Sequence, residues 1–149
     1  MKSLFKGDTM IFLRLFFLFF VLVGISYASV GHIVLKKGDV NILRNQQKII
    51  AYNDSEIFKE DIIETLQNSK VQVRFLDDTV ITLGANSTLN VQEYVAPTQS
   101  NSPKAKFGFS KGTFKTITGK IGKIAPQNFT LQTKTATIGI RGTIVVRFR

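Results

Sequence analysis

The chain has 149 residues, of which 44% are apolar, with 20 Lys and Arg against 10 Asp and Glu and neither Cys nor Trp. Without cysteine there is no disulfide framework, no thiolate metal site and no lipid-modified N-terminal cysteine, and the lone His32 leaves zinc without its usual ligands. Charge is unevenly placed: residues 29–95 hold 7 basic and 9 acidic residues, whereas residues 96–149 hold 10 basic and none acidic. Such asymmetry suggests an anionic neighbour, set against the plainer reading of a solvated face that keeps strand edges unpaired.

Lys2, Lys6 and Arg14 precede an apolar run from Leu15 to Ile25, and Ser26-Tyr27-Ala28 places small residues where a signal peptidase reads. This pattern predicts a secretory signal peptide over residues 1–28, cleaved after Ala28, with Met10 as an alternative start. An apolar run of 11 residues falls short of the roughly 20 that a membrane span needs, so no stable span is expected after cleavage. An uncleaved anchor is the alternative. The remaining residues, 29–149, suit one ordinary domain.

Two short apolar pieces, Gly31 to Leu35 and Val40 to Leu43, flank a Gly38-Asp39 turn and predict two strands. Ile49, Ile50 and Tyr52 follow a polar turn. Around Lys59-Glu60-Asp61 the spacing of Ile57, Phe58, Ile62 and Ile63 fits either one helical turn or two strand ends. Val71, Val73 and Phe75 alternate with Gln72 and Arg74 in the cleanest strand, and Asp77-Asp78 turns it back into Val80 to Leu83. Leu89 and Val91 alternate next, after Asn86-Ser87. Turn signals recur about every ten residues, which predicts an all-β domain of short strands, either a sandwich or a β-solenoid.

Beyond a polar loop with two prolines at residues 96–105, Phe107 and Phe109 alternate in a further strand. Phe114, Ile117, Ile121 and Ile124 then recur at helical spacing, predicting one short or irregular helix near residues 113–124, stopped by Pro126. The chain resumes as strand from Phe129 to Val146, interrupted by Gly139 and Gly142 with Arg141 between them.

No set of residues supports catalysis. Asp77 and Asp78 are adjacent, so on a strand they point to opposite faces and cannot share a proton. His32 has no Ser or carboxylate at motif spacing. Gly119-Lys120-Ile121-Gly122-Lys123 lacks the order of a phosphate loop. A carbohydrate-active enzyme on a β scaffold would need a carboxylate pair. The expectation is therefore no enzyme, no cofactor, no metal and no nucleic acid.

Several motifs, taken in order, resemble the FecR domain family of exported bacterial proteins. They are Gly38-Asp39-Val40-Asn41-Ile42, the strand-turn-strand from Val71 to Leu83, Asn86-Ser87-Thr88-Leu89-Asn90-Val91, Lys111-Gly112-Thr113-Phe114, Thr118-Gly119-Lys120-Ile121, and Thr133 to Thr143 ending I-G-I-R-G-T. The last is the most specific. Asp78 stands where the family's turn has Gly, and Lys134 where it has Pro; the chain also ends six residues after Thr143, short of the family's usual closing strand. The resemblance implies a periplasmic all-β domain. The family's best-known members carry a cytoplasmic anti-sigma segment before a membrane span; with nine residues before Met10, the resemblance implies instead the stand-alone exported type. Thr137, Gly139, Arg141, Gly142 and Thr143 are expected to be structural, with Arg141 buried and ordering a turn. The functional expectation is a non-enzymatic binding or signalling module that contacts an unidentified envelope protein through a strand edge or the basic C-terminal half. The alternative is binding of lipopolysaccharide or another anionic envelope polymer by Lys104, Lys106, Lys111, Lys115, Lys120 and Lys123.

Overall fold

Alternation of buried and exposed side chains along Lys70–Phe75 (Val71, Val73 and Phe75 in, Lys70 and Arg74 out) is repeated through most of the chain. The computed structural model describes residues 10–15, 27–139 and 142–147, so the core of the expected signal peptide, along with Arg141, lies outside the described residues. Residues 10–15 are helical.

The strands are β1 (Gly31–Lys37), β2 (Val40–Arg44), β3 (Gln47–Ile50), β4 (Glu56–Ile57), β5 (Ile62–Thr65), β6 (Lys70–Phe75), β7 (Val80–Leu83), β8 (Thr88–Val95), β9 (Lys104–Lys111) and β10 (Thr113–Ile117). A short α-helix (Lys120–Ile124) and a 3-10 turn (Pro126–Asn128) lead into β11 (Phe129–Thr133), β12 (Thr137–Gly139) and β13 (Thr143–Arg147). They form a six-stranded sheet in the order β13-β10-β7-β6-β1-β4 and a seven-stranded sheet in the order β12-β11-β9-β8-β5-β2-β3. All pairings are antiparallel except β9 with β11. Because β10 lies in the other sheet, the chain from β9 to β11 makes one full coil. The same back-and-forth runs from β1 onward, so the sandwich carries the winding of a solenoid.

One core joins the two sheets. Phe75 of the first sheet meets Phe107 of the second at 4.7 Å between ring centroids and Tyr94 at 5.5 Å, and Phe109 stacks on Phe114 at 3.6 Å. Burying a phenylalanine of this kind contributes roughly 1.5–3 kcal/mol, so these rings and the Val and Ile residues around them are the main stabilising element. Successive coils are also tied by hydroxyls: the Asp39 amide donates to Ser69 Oγ at 2.8 Å, and the Thr113 amide donates to Ser87 Oγ at 2.9 Å.

Lys59-Glu60-Asp61 turns between two strand ends instead of forming a helical turn. The helix expected near residues 113–124 occupies only Lys120–Ile124; Thr113–Ile117 is strand. Phe114 and Thr116 face the core while Ile117 is 42% exposed, and in the helix Ile121 is buried while Ile124 is 65% exposed. The spacing that looked helical therefore bridges a strand and a helix. No single face connects the four residues.

Candidate functional site

The most densely bonded polar cluster in the described chain forms where the β6–β7 turn meets the segment before the short helix. Asp77 has no solvent exposure. Its carboxylate accepts from Thr79 Oγ1 at 2.7 Å, Tyr94 Oη at 2.8 Å, the Ile121 amide at 3.2 Å and the Thr79 amide at 3.3 Å. Its own amide donates to Tyr94 Oη at 2.9 Å, and its carbonyl accepts from the Lys120 amide at 2.7 Å. Asp78 adopts the left-handed conformation (φ 66°) that the turn demands, which Asp tolerates better than most residues. Burial, reinforced by the Asp77 charge, pushes the Tyr94 hydroxyl well above the usual tyrosine range. Gly119 is required by space: a Cβ there would stand 2.0 Å from the Asp77 carbonyl oxygen. Donors from its own turn, from β8 and from the short helix converge on the Asp77 carboxylate, an arrangement that fixes these three segments together.

This lock passes directly into the final strands. Thr118 donates through its amide (3.0 Å) and its Oγ1 (3.1 Å) to the Gly142 carbonyl, and its Oγ1 accepts from the Gly142 amide at 3.1 Å. Gly142 has φ 103°, a conformation that side chains disfavour. Among the described residues neither Gly139 nor Gly142 has anything within 4 Å of a would-be Cβ, so Gly142 answers to its φ alone and no close approach explains Gly139. Thr137 and Gly139 pair with Gln132 and Thr130 on β11 in one sheet, and Thr143 pairs with Ile117 on β10 in the other. β12 and β13 thus lie in different sheets, and Thr118 pins Gly142 at the entry to β13.

A sequence model of the family described as "FecR protein" matches residues 61–149. The chain belongs to the FecR family. No curated protein and no solved structure matches it. The FecR match begins at Asp61, yet β1 pairs with β6 and β2 with β5, so the preceding strands complete the same two sheets.

Asp61 is itself buried and anchors that junction. It takes a bidentate pair from Arg44, with Nε at 2.8 Å and an Nη at 2.7 Å, plus the Phe58 amide at 2.8 Å. The Arg44 guanidinium also lies over the Phe58 ring at 4.3 Å and is held above its ordinary pKa by the hydrogen bond to Asp61. The sequence marks Asp77 only as a turn residue and does not point to the Arg44–Asp61 pair; a buried role for a turn aspartate leaves only a faint trace, here Thr79 two residues on.

The six lysines do not converge. Lys104 and Lys106 alternate with buried Ala105 and Phe107, facing outward from the seven-stranded sheet, and Lys104 pairs with Glu93 at 2.6 Å. Lys115 faces outward from the opposite sheet. Lys120 and Lys123 lie on the short helix, where Lys120 approaches Asp78 at 3.6 Å. Lys111 ends β9, and shares a groove with Lys134 and Arg147. At the far side of the seven-stranded sheet, β3 is exposed along its whole length, with Ile50 60% and nearby Tyr52 63% exposed. Among the described residues no group of His, Asp or Glu is arranged to hold a metal ion, and no helix is long and apolar enough to cross a membrane.

Proposed function

We propose that this FecR-family chain is a non-enzymatic signalling module of the cell envelope that acts by accepting a strand of another envelope protein along β3. The family match supports the signalling role, and the predicted signal peptide supports export to the periplasm. The observation that carries the binding mode is the edge itself. β3 is the terminal strand of its sheet, is exposed at every position, and carries Ile49 and Ile50 beside Tyr52. An edge of this kind offers main-chain groups for strand addition and apolar side chains for selectivity. The Asn45-Gln46 turn, with both residues at positive φ, fixes the β2–β3 hairpin so that the edge is presented preformed. A polyanion held jointly by all six lysines is the weaker reading, since they divide between opposite faces.

The test is photocrosslinking from residue 48 in cells, comparing the wild-type chain with an Ile49→Lys, Ile50→Lys double variant. One envelope protein is expected to be crosslinked by the wild-type chain and lost in the variant at unchanged melting temperature. The same adduct from both chains, or none from either, overturns the edge as the binding surface.

A further inference from the structure

The outer face of the seven-stranded sheet carries a row of short polar side chains across three strands. Asn90 on β8 stands opposite Gly108 on β9, which stands opposite Gln132 on β11. Gln92 folds over Gly108, where a Cβ would meet its Nε2 at 2.6 Å, and its Oε1 is sealed without a hydrogen-bond partner among the described residues. Together with Thr88 these groups line a trough of about 360 Å³. Ser110 and Lys134 line this trough and also a second one of about 640 Å³, so the two adjoin at these residues.

The second section is cationic. Lys111 reaches it from the end of β9, Lys134 from the β11–β12 turn and Arg147 from the end of β13. Among the described residues none of the three has an ion-pair partner, and no Asp or Glu lines either section. In register, Glu64 on β5 stands opposite Thr88, which in turn stands opposite Lys111, so the nearest carboxylate in that row is two strands from Lys111. Three like charges with no counter-ion among the described residues repel one another, and an anion placed among them relieves that cost. Arg offers a planar fork for carboxylate or phosphate, while amides and hydroxyls supply the donors and acceptors that sugar hydroxyls need.

We infer that these two adjoining troughs together bind an acidic saccharide, its anionic group (the carboxylate of a uronate or the phosphate of a sugar phosphate) among Lys111, Lys134 and Arg147 and its hydroxyls along Asn90, Gln92 and Gln132. They lie at the opposite end of the sheet from β3, so they neither need nor contradict strand addition there. Lys134 and Arg147 are invisible as a pair in sequence; only the β11–β12 and β10–β13 pairings bring them to Lys111.

Calorimetric titration of the purified protein with tetragalacturonate, glucosamine 6-phosphate, neutral maltotetraose and inorganic phosphate tests this. Binding of one or both acidic sugars, with neither maltotetraose nor phosphate matching it, is expected, and the two acidic probes distinguish carboxylate from phosphate. A Lys134→Ala, Arg147→Ala variant, which removes only exposed side chains, is expected to weaken binding at least roughly tenfold. Gln132→Ala should weaken the sugar more than inorganic phosphate, and Lys104→Ala should leave affinity unchanged. No binding by either acidic sugar overturns the inference. So does equal binding of maltotetraose, an equal loss from Lys104→Ala, or phosphate binding as well as the sugars with Gln132→Ala silent.

Discussion

Asp77 accepts hydrogen bonds from a hydroxyl on its own turn, a phenol on β8 and an amide of the short helix. Removing it strands all three donors in a dry site, and each unsatisfied buried group costs about 1–3 kcal/mol. Asp77→Ala is accordingly expected to lower stability by roughly 2–4 kcal/mol in urea denaturation, a large fraction of what a domain of this size holds. Tyr94, whose hydroxyl is raised by burial and by the Asp77 charge, gives a pH signature. Unfolded tyrosine ionises near about pH 10, while the folded hydroxyl stays protonated, so the unfolded chain binds fewer protons above that pH. Stability is therefore full below about pH 10 and falls as pH rises beyond it. Comparing denaturation at pH 8 and pH 11, Tyr94→Phe should lose less stability over this interval than the wild-type chain.

Among the elements, β13 is held to the rest by pairing with β10 and by the Thr118–Gly142 hydrogen bonds at its entry. Thr118→Val keeps the shape and removes both hydroxyl bonds. Amide hydrogen exchange in residues 143–147 should then speed up severalfold while β6 and β8 stay protected; equal loss everywhere would show that Thr118 serves the core and not the entry to β13. Strand β6 was legible because its alternation has one buried face and a hairpin turn after it. Strand β10 was not, because Phe114 and Ile121 face the same core from different elements, so two unrelated periods add up to a helical one. The glycines divide likewise: Gly142 answers to its φ, Gly119 to the Asp77 carbonyl, and only the fold tells the two reasons apart.

For the whole molecule, charge asymmetry along the sequence does not become a single basic face. Winding between two sheets sends neighbouring lysines to opposite sides and brings distant ones together, as with Lys111, Lys134 and Arg147. Composition thus left an anionic neighbour and a merely solvated face as alternatives, whereas which cations come together depended on register. An all-β architecture and the family were legible from motif order, and the family match bears out that resemblance. The exposed edge at β3 was legible only as two isoleucines after a polar turn, since nothing in the sequence says which strand ends a sheet.

The coil from β9 through β10 to β11 has one more consequence. β9 and β11 are neighbours in one sheet, but the chain between them contributes a strand to the other. Neither sheet is contiguous in sequence, so neither can be completed first and the other added later. Most pairings also join strands far apart along the chain, which slows assembly. Until the last coil closes, both sheets present unpaired strands at once, and nascent chains are then most prone to stick to one another.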